Sequence, residues 1–300
     1  MGGILTAGSN ANGLLGHPAD ARLLILNADD FGMSAPVNHA VVSALTHGVA
    51  QSASLMVPWP GAAQAIGMLR ENPDISFGIH LSVVCDLPGY RYGPVAPAGA
   101  VSSLTDGSGH FYGLEQRALF TERADLTHLD IEFRAQIQVV LTAGLRPGHL
   151  DWHCLADGGR PDIFELTLEL AREYGLALRV HDRTRARQLR DRDLPVNDHE
   201  VLDSYGLDPA GKAARYLRLL RDLPAGLTEW ALHPALDTPE LREMEPASWP
   251  VRHTDLEFLM STQARQVIEE EGIVLLSHEP ARRVWASQQD PRRRRSGSVP

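Results

Sequence analysis

The chain has 300 residues, is 43% hydrophobic and carries a formal net charge of −10, an ordinary composition for a globular protein with a sizeable core. This acidic balance, without a basic stripe, argues against a nucleic-acid-binding protein. No stretch approaches the about 20 consecutive apolar residues that cross a bilayer, which argues against a membrane protein.

Cysteine usage and the two ends suggest the location and the domain limits. Cys85 and Cys154 lie far apart and form no CxxC pair, which is typical of a reducing compartment, and the first residues do not resemble a secretory signal. We therefore expect a cytoplasmic protein. Residues 1–20 and the arginine-containing residues 286–300 are predicted to be poorly ordered, which leaves residues 21–285 as a single α/β domain.

The first predicted unit is a strand, a loop and a helix. Residues 22–27 (RLLILN) form an apolar run of strand length that leads into a polar cluster at residues 29–32. Ser34 can cap the following helix, in which apolar residues repeat at helical spacing until Gly48. Polar residues directly after a buried strand are expected to have a function.

The remaining elements alternate in the same way. We predict strands at 52–57, 75–81, 149–151, 177–180, 228–232 and 273–276, and helices at 62–71, 126–143, 162–174, 209–221 and 256–271. Residues 86–113 are predicted to form a long loop over a site, and residues 183–206 to be irregular. About seven strands alternating with helices indicate an α/β barrel or a closely related parallel sheet.

In such folds the polar residues at the carboxyl ends of the strands meet on one face. The residues in question are Asp29, Asp30, His80, His149, Asp151, His153 and His233. They come from four separate segments of the chain, and this coincidence is the main evidence for a functional site.

The chemistry of these residues suits a metal-dependent hydrolase. Adjacent Asp29 and Asp30 cannot point the same way on extended backbone, so one can bind a metal while the other accepts a proton. His80 and His153, with one aspartate, form a set of two histidines and one carboxylate that leaves coordination positions open. His233 could protonate a leaving amine.

Structural interpretations also exist for these residues. The Asp29-Asp30 pair could form a turn or a helix N-cap, His80 could be a hydrogen-bonded core histidine, and His233 could simply end a strand.

The segment around residue 150 carries the clearest metal pattern. His149, Asp151 and His153 alternate and therefore share one face of a strand. Cys154 is expected to face away from His153 as a buried free thiol.

Four motifs in order resemble the YdjC-like carbohydrate deacetylase family. The first, at residues 27–32 (NADDFG), is highly specific, and the others lie at residues 78–81 (GIHL), 149–153 (HLDWH) and 233–234 (HP). Together the matches cover residues 22–277.

The resemblance implies a distorted, incomplete TIM-like (β/α) barrel with α/β architecture, a homodimer and an N-acetylated sugar as substrate. It implies one divalent metal ion, for which Mg or Zn is favoured and Co, Mn or Ni is compatible. It assigns Asp30, His80 and His153 as metal ligands, Asp29 as general base and His233 as the acid.

The chain departs from the family pattern beside one ligand. It has Trp152 where serine is usual, and Cys154-Leu155 where further histidines are common, so no particular sugar is implied. Two alternatives stay open: a metal-dependent hydrolase of another bond, such as a phosphoester or cyclic amide, and an inactive carbohydrate-binding homologue. The absence of Lys and Arg from the strand-end motifs argues against a phosphatase, and the presence of both aspartates argues against an inactive binder.

Overall fold

A computed structural model describes residues 10–288. Its strands are β1 (Arg22–Phe31), β2 (Ser52–Leu55), β3 (Phe77–Leu81), β4 (Val84–Cys85), β5 (Tyr112–Gly113), β6 (His149–Trp152), β7 (Ala177–Leu178), β8 (Leu202–Asp203), β9 (Gly226–Leu232) and β10 (Val274–Leu275). Its helices are α1 (Ala11–Leu14), α2 (Ala35–Thr46), α3 (Ala62–Glu71), α4 (Arg117–Arg123), α5 (Leu126–Thr142), α6 (Pro161–Tyr174), α7 (Arg183–Arg190), α8 (Lys212–Arg221), α9 (Pro239–Met244), α10 (Trp249–Met260), α11 (Thr262–Glu270) and α12 (Glu279–Ser287). Among these helices, none combines the length and apolar character needed to cross a bilayer.

Eight of the strands form one parallel sheet in the order β7-β6-β3-β2-β1-β9-β8, with β10 also paired to β1. The sheet curls into a half-barrel, which confirms the predicted incomplete TIM-like barrel. Because the strands are parallel, their carboxyl ends lie along one edge, where the predicted site residues are located.

Strand β1 lies at the centre of the sheet, and nine of its ten residues are buried. Its side chains point alternately to the two faces of the sheet. On one face, Leu24 and Leu26 pack with Phe258 in the cluster beneath the outer helices. On the opposite face, Asn27 Nδ2 donates a hydrogen bond of 2.6 Å to Asp29 Oδ1. The period of the strand therefore directs Asp29 to the inside of the half-barrel.

Two segments differ from the sequence-based predictions. The single helix expected at 256–271 is wrong: α10 ends at Met260, and Ser261 caps a second helix by accepting a hydrogen bond from Ala264 N. Residues 183–206 are not irregular throughout, because Asp182 caps α7 and residues 202–203 form β8. All the other predicted strands and helices are present, with ends shifted by a few residues.

The long loop at residues 86–113 starts and ends at one place. Strand β4, just before this segment, pairs with β5, at its end, in a separate two-stranded parallel sheet. Within the loop, Thr105 forms an isolated bridge with Phe111. Asp86, the first residue of this segment, lines the same cavity as the strand-end residues, and the rest of the segment does not, so the prediction of a loop over the site is not confirmed.

The expectation of a poorly ordered leader is wrong for residues 10–20. Ala11 and Asn12 in α1 are fully buried, and the Ala11 N–H donates to the carboxylate of Asp198. Asn12 Nδ2 donates to the carbonyls of Pro18 and Ala21, which ties the segment to β1. Residues 1–9 and 289–300, which include most of the predicted tail, lie outside the described residues, and α12 continues to residue 287.

Candidate active site

The carboxyl edge of the sheet holds a cavity of about 140 Å³. All five predicted site residues line it: Asp29, Asp30, His80, His153 and His233. The lining is completed by Asp86, Trp152, Cys154, Arg179, His181, Asp203, Tyr205, Ala231 and Arg252.

A bulge in β1 brings both aspartates to the cavity. The pairing register with β2 shifts between Ala28 and Phe31, and Asp30 has a φ of +65°. This left-handed conformation is unfavourable for a residue other than glycine, and such strain is concentrated at functional sites. Asp29 Oδ2 and Asp30 Oδ1 lie 3.8 and 3.5 Å from the same atom, His80 Nε2. The expectation that the two carboxylates cannot point the same way assumed extended backbone and is therefore wrong.

Asp30, His80 and His153 bring one carboxylate and two imidazoles together. Asp30 Oδ1 lies 3.5 Å from His80 Nε2 and 3.3 Å from His153 Nδ1. This oxygen is buried and accepts no well-formed hydrogen bond, although a buried polar atom normally has a partner. Two neutral imidazole nitrogens and a carboxylate oxygen are a common ligand set for a divalent cation. The three residues therefore fit a metal ion.

Each histidine of this trio has a carboxylate on its other ring nitrogen. His80 Nδ1 lies 2.8 Å from Asp151 Oδ1, and His153 Nε2 lies 3.1 Å from Asp86 Oδ1. Such outer carboxylates fix the orientation of a metal-ligating imidazole and increase its basicity. Asp86 is a residue that the sequence pattern missed, because the loop that carries it has no regular period.

Asp30 is also held from the outside by an arginine. Arg252 Nη2 lies 2.9 Å from Asp30 Oδ2, while Arg252 Nε donates to Glu245 Oε1 at 2.7 Å. Burial acts to raise the pKa of Asp30, but Arg252 and the nearby imidazoles hold that pKa well below its usual range. Asp30 is therefore kept ionised, as a metal ligand requires.

Asp29 is held by a different arginine. Arg179 donates to both of its oxygens, from Nη1 to Oδ2 at 2.7 Å and from Nη2 to Oδ1 at 2.9 Å. Burial acts to raise the pKa of Asp29, but the Arg179 guanidinium outweighs it and keeps the pKa below its usual value. Asp29 is thus an ionised carboxylate with a fixed orientation next to the metal-ligand trio.

The four strand-end motifs contain no Lys or Arg, but two arginines from outside those motifs line the cavity. Arg179 directly follows β7, and its position after a strand could have identified it. Arg252 lies on α10, which no strand-end pattern can locate. Both side chains are almost fully buried and paired with carboxylates.

His149 does not join the metal-ligand trio. Its Nε2 lies 3.2 Å from Ser54 Oγ, and its ring stacks on that of His278 with centroids 3.5 Å apart. Strand β6 ends at Trp152, so the alternating pattern ends before His153. His149 and Asp151 therefore keep the predicted shared face, with His149 Nε2 3.4 Å from Asp151 Oδ2, whereas His153, beyond the strand, joins the metal-ligand trio.

His233 follows β9, the strand that pairs with β1, and lines the same cavity. It is 8% exposed, and its ring packs edge-on against Tyr205 with centroids 5.2 Å apart. Its Nδ1 lies 3.0 Å from Ser204 Oγ, which leaves the other edge of the ring for the cavity.

Cys154 differs from its predicted placement. The residue is exposed, and its Sγ lies 3.2 Å from His153 Nε2. Its φ of +58° departs from strand geometry, so the alternation that placed it opposite His153 does not apply.

The motifs agree with comparisons to known proteins. A family model described as YdjC-like protein matches residues 23–270. A carbohydrate deacetylase from Enterococcus faecalis is 29% identical over 267 residues, which cover 86% of this chain and 97% of that protein. A carbohydrate deacetylase from Brevibacillus brevis is 31% identical over 256 residues, covering 85% of this chain and 97% of that protein.

A solved structure has the same fold. The crystal structure of an Enterococcus faecalis protein, proposed to act in cellobiose-phosphate cleavage, matches with a TM-score of 0.75 and 29% identity. The match covers 86% of this chain and 98% of that one. Because the family model spans most of the sequence, the chain belongs to the YdjC-like protein family.

Proposed function

We propose that this protein is a carbohydrate N-deacetylase that hydrolyses the acetamide of an N-acetylated sugar with the help of one divalent cation. The observation that carries the proposal is the convergence of Asp30 Oδ1, His80 Nε2 and His153 Nδ1 beside the oriented carboxylate of Asp29. The relatives named carbohydrate deacetylase align over almost their whole length, which supports the same reaction.

In this proposal Asp30, His80 and His153 hold the cation. When bound, it supplies Lewis-acid chemistry that makes a water more acidic and polarises the acetyl carbonyl. Mg or Zn is favoured, and Co, Mn or Ni is compatible with the same ligands.

The protein supplies the proton transfers. Asp29 acts as general base: its ionised carboxylate, with both oxygens fixed by Arg179, accepts the proton of the attacking water. His233, which lines the same cavity, donates a proton to the nitrogen of the departing amine, so that the sugar leaves as a neutral amine and acetate remains.

We also propose a cytoplasmic homodimer. The family resemblance implies the dimer, and the two cysteines, both free thiols, are consistent with a reducing compartment.

Acetate release tests the proposed function. Metal-stripped protein is incubated with a panel of N-acetylated mono- and oligosaccharides, with and without added Zn, Mg, Co or Mn. We expect acetate from at least one sugar, and only when a metal is added. Confirmed metal binding without acetate from any sugar would favour hydrolysis of another bond or an inactive carbohydrate-binding protein.

A further inference from the structure

A buried hydrogen-bonded cluster contacts His233 at its ring Nδ1 and at its backbone N–H. Ser204, which follows β8, and Asp255, on α10, are both fully buried. Lys212 and Tyr216, on α8, complete the cluster and are at most 1% exposed. Four buried polar side chains around one histidine are costly unless they are fully paired.

In this cluster the Asp255 carboxylate is the acceptor and its neighbours are the donors. Ser204 Oγ donates to Asp255 Oδ2 at 2.5 Å, and the backbone N–H of His233 donates to the same oxygen at 2.9 Å. Asp255 Oδ1 is occupied by Lys212 Nζ at 2.6 Å and by the Tyr216 hydroxyl at 2.9 Å.

These contacts decide which nitrogen of His233 carries a proton. A hydroxyl has a single hydrogen, and Ser204 gives it to Asp255, so Ser204 Oγ can only accept at its remaining contact. That contact is His233 Nδ1 at 3.0 Å, which must therefore be the N–H donor. His233 Nε2, on the opposite edge of the ring, is left for the cavity.

We propose that Ser204 and Asp255 are positioning residues that hold His233 in the Nδ1–H tautomer, so that only Nε2 exchanges a proton with the substrate. This inference rests on the proposed function, in which His233 is the acid.

The proposed step transfers one proton from His233 to the departing amine. In the imidazolium form both ring nitrogens carry protons. As the C–N bond of the substrate breaks, its electron pair goes to the amine nitrogen, which takes the proton from His233 Nε2. The imidazole becomes neutral and keeps its proton on Nδ1, which donates it in a hydrogen bond to Ser204 Oγ. The Asp255 carboxylate stabilises the preceding positive charge through the serine hydroxyl.

The first test observes the tautomer without using activity. Protein labelled with ¹⁵N-histidine is studied by NMR at a pH where His233 is neutral, and the His233→Ala variant identifies its signals. We expect wild type to show the Nδ1–H tautomer and Ser204→Ala to lose that preference. A wild-type Nε2–H tautomer, or an unchanged Nδ1–H preference in Ser204→Ala, would overturn the inference.

The second test uses the dependence on the leaving group. Ser204→Ala is compared with wild type on the N-acetylated sugar and on 4-nitrophenyl acetate, whose leaving group needs no proton. We expect kcat on the sugar to fall by about 10- to 100-fold, with little change in KM or in ester hydrolysis. Thr167→Val, which removes a buried hydroxyl bonded within α6, is the matched control and should keep wild-type kinetics.

His233→Ala separates failure of the inference from failure of the proposed function. If His233→Ala is impaired on the sugar and Ser204→Ala is not, the positioning role is wrong while the acid role stands. If His233→Ala retains wild-type kcat, the acid role is wrong and the inference falls with it. Equal losses of Ser204→Ala on sugar and ester would indicate a structural role and would also overturn the inference.

Discussion

Arg179 Nη1 and Nη2 donate hydrogen bonds of 2.7 and 2.9 Å to the two carboxylate oxygens of Asp29 inside the half-barrel. The same guanidinium also contacts Asp151 Oδ2 at 3.0 Å and Glu229 Oε1 at 2.5 Å. Three buried carboxylates therefore depend on one buried cation.

Replacing this cation should be severe. We predict that Arg179→Met lowers the free energy of unfolding by about 3–5 kcal/mol, since it leaves buried carboxylates without their counter-charge. Urea denaturation measures the change. Arg183→Met is the control: its side chain is 63% exposed and lies 3.9 Å from Glu200, so the loss should stay below about 1 kcal/mol. Similar losses for both variants would contradict the proposed importance of the Arg179 network.

Gly78 is required by the packing of a histidine. A Cβ at this position would collide with the imidazole of His149, which is fully buried. We predict that Gly78→Ala lowers the free energy of unfolding by about 1–3 kcal/mol, the usual range for overpacking a core. Thermal and urea denaturation check this. Gly67→Ala is the matched control, because a Cβ there meets nothing within 4 Å on α3, and it should be neutral or slightly stabilising.

His149 should also make folding sensitive to acid. Burial, reinforced by His278, lowers the pKa of His149 from 6.5 to about 4. Above pH 6.5 the imidazole is neutral in both the folded and the unfolded chain. As the pH falls from 6.5 towards 4, the unfolded chain binds the proton more readily, so stability decreases, in total by about 3 kcal/mol from this residue.

The effect of His149 is isolated by comparison with His149→Gln. Urea denaturation at several pH values should give a smaller acid-induced loss of stability for the variant over this window. Identical pH dependence of the two proteins would show that His149 does not titrate in this way.

Cys154 offers a chemical probe of the metal site. Cys154 is exposed and its Sγ lies 3.2 Å from His153 Nε2, whereas Cys85 is buried. Desolvation raises the pKa of the Cys154 thiol, so we predict that iodoacetamide modifies it slowly, but in preference to Cys85, and weakens metal binding by crowding His153. Mass spectrometry and metal titration measure both effects, and Cys154→Ser should be unaffected by the reagent. Full metal affinity after complete alkylation of Cys154 would refute the prediction.

The sequence predicted the strand-end part of the site because its signals are local. Apolar runs locate β1 and β3, and parallel strands must end at a common edge, so Asp29, Asp30 and His80 could be expected to meet. The same logic could have included Arg179, which follows β7 directly.

The remaining parts of the site depend on tertiary structure. The bulge that turns Asp30 inward has no sequence signal, because its φ of +65° is imposed by the surroundings. Asp86 arrives from an aperiodic loop and Arg252 from a helix, so neither follows from strand patterns. Ser204 follows a strand of only two residues, which is too short to show a period.

The division of labour between the adjacent aspartates is the central claim, and metal content measured together with acetate release on Asp29→Asn and Asp30→Asn tests it most directly. We predict that Asp30→Asn loses the metal, whereas Asp29→Asn keeps it and loses about 10²- to 10⁴-fold in kcat, the usual contribution of a general base. Wild-type turnover by Asp29→Asn, or full metal content in Asp30→Asn, would contradict the assignment.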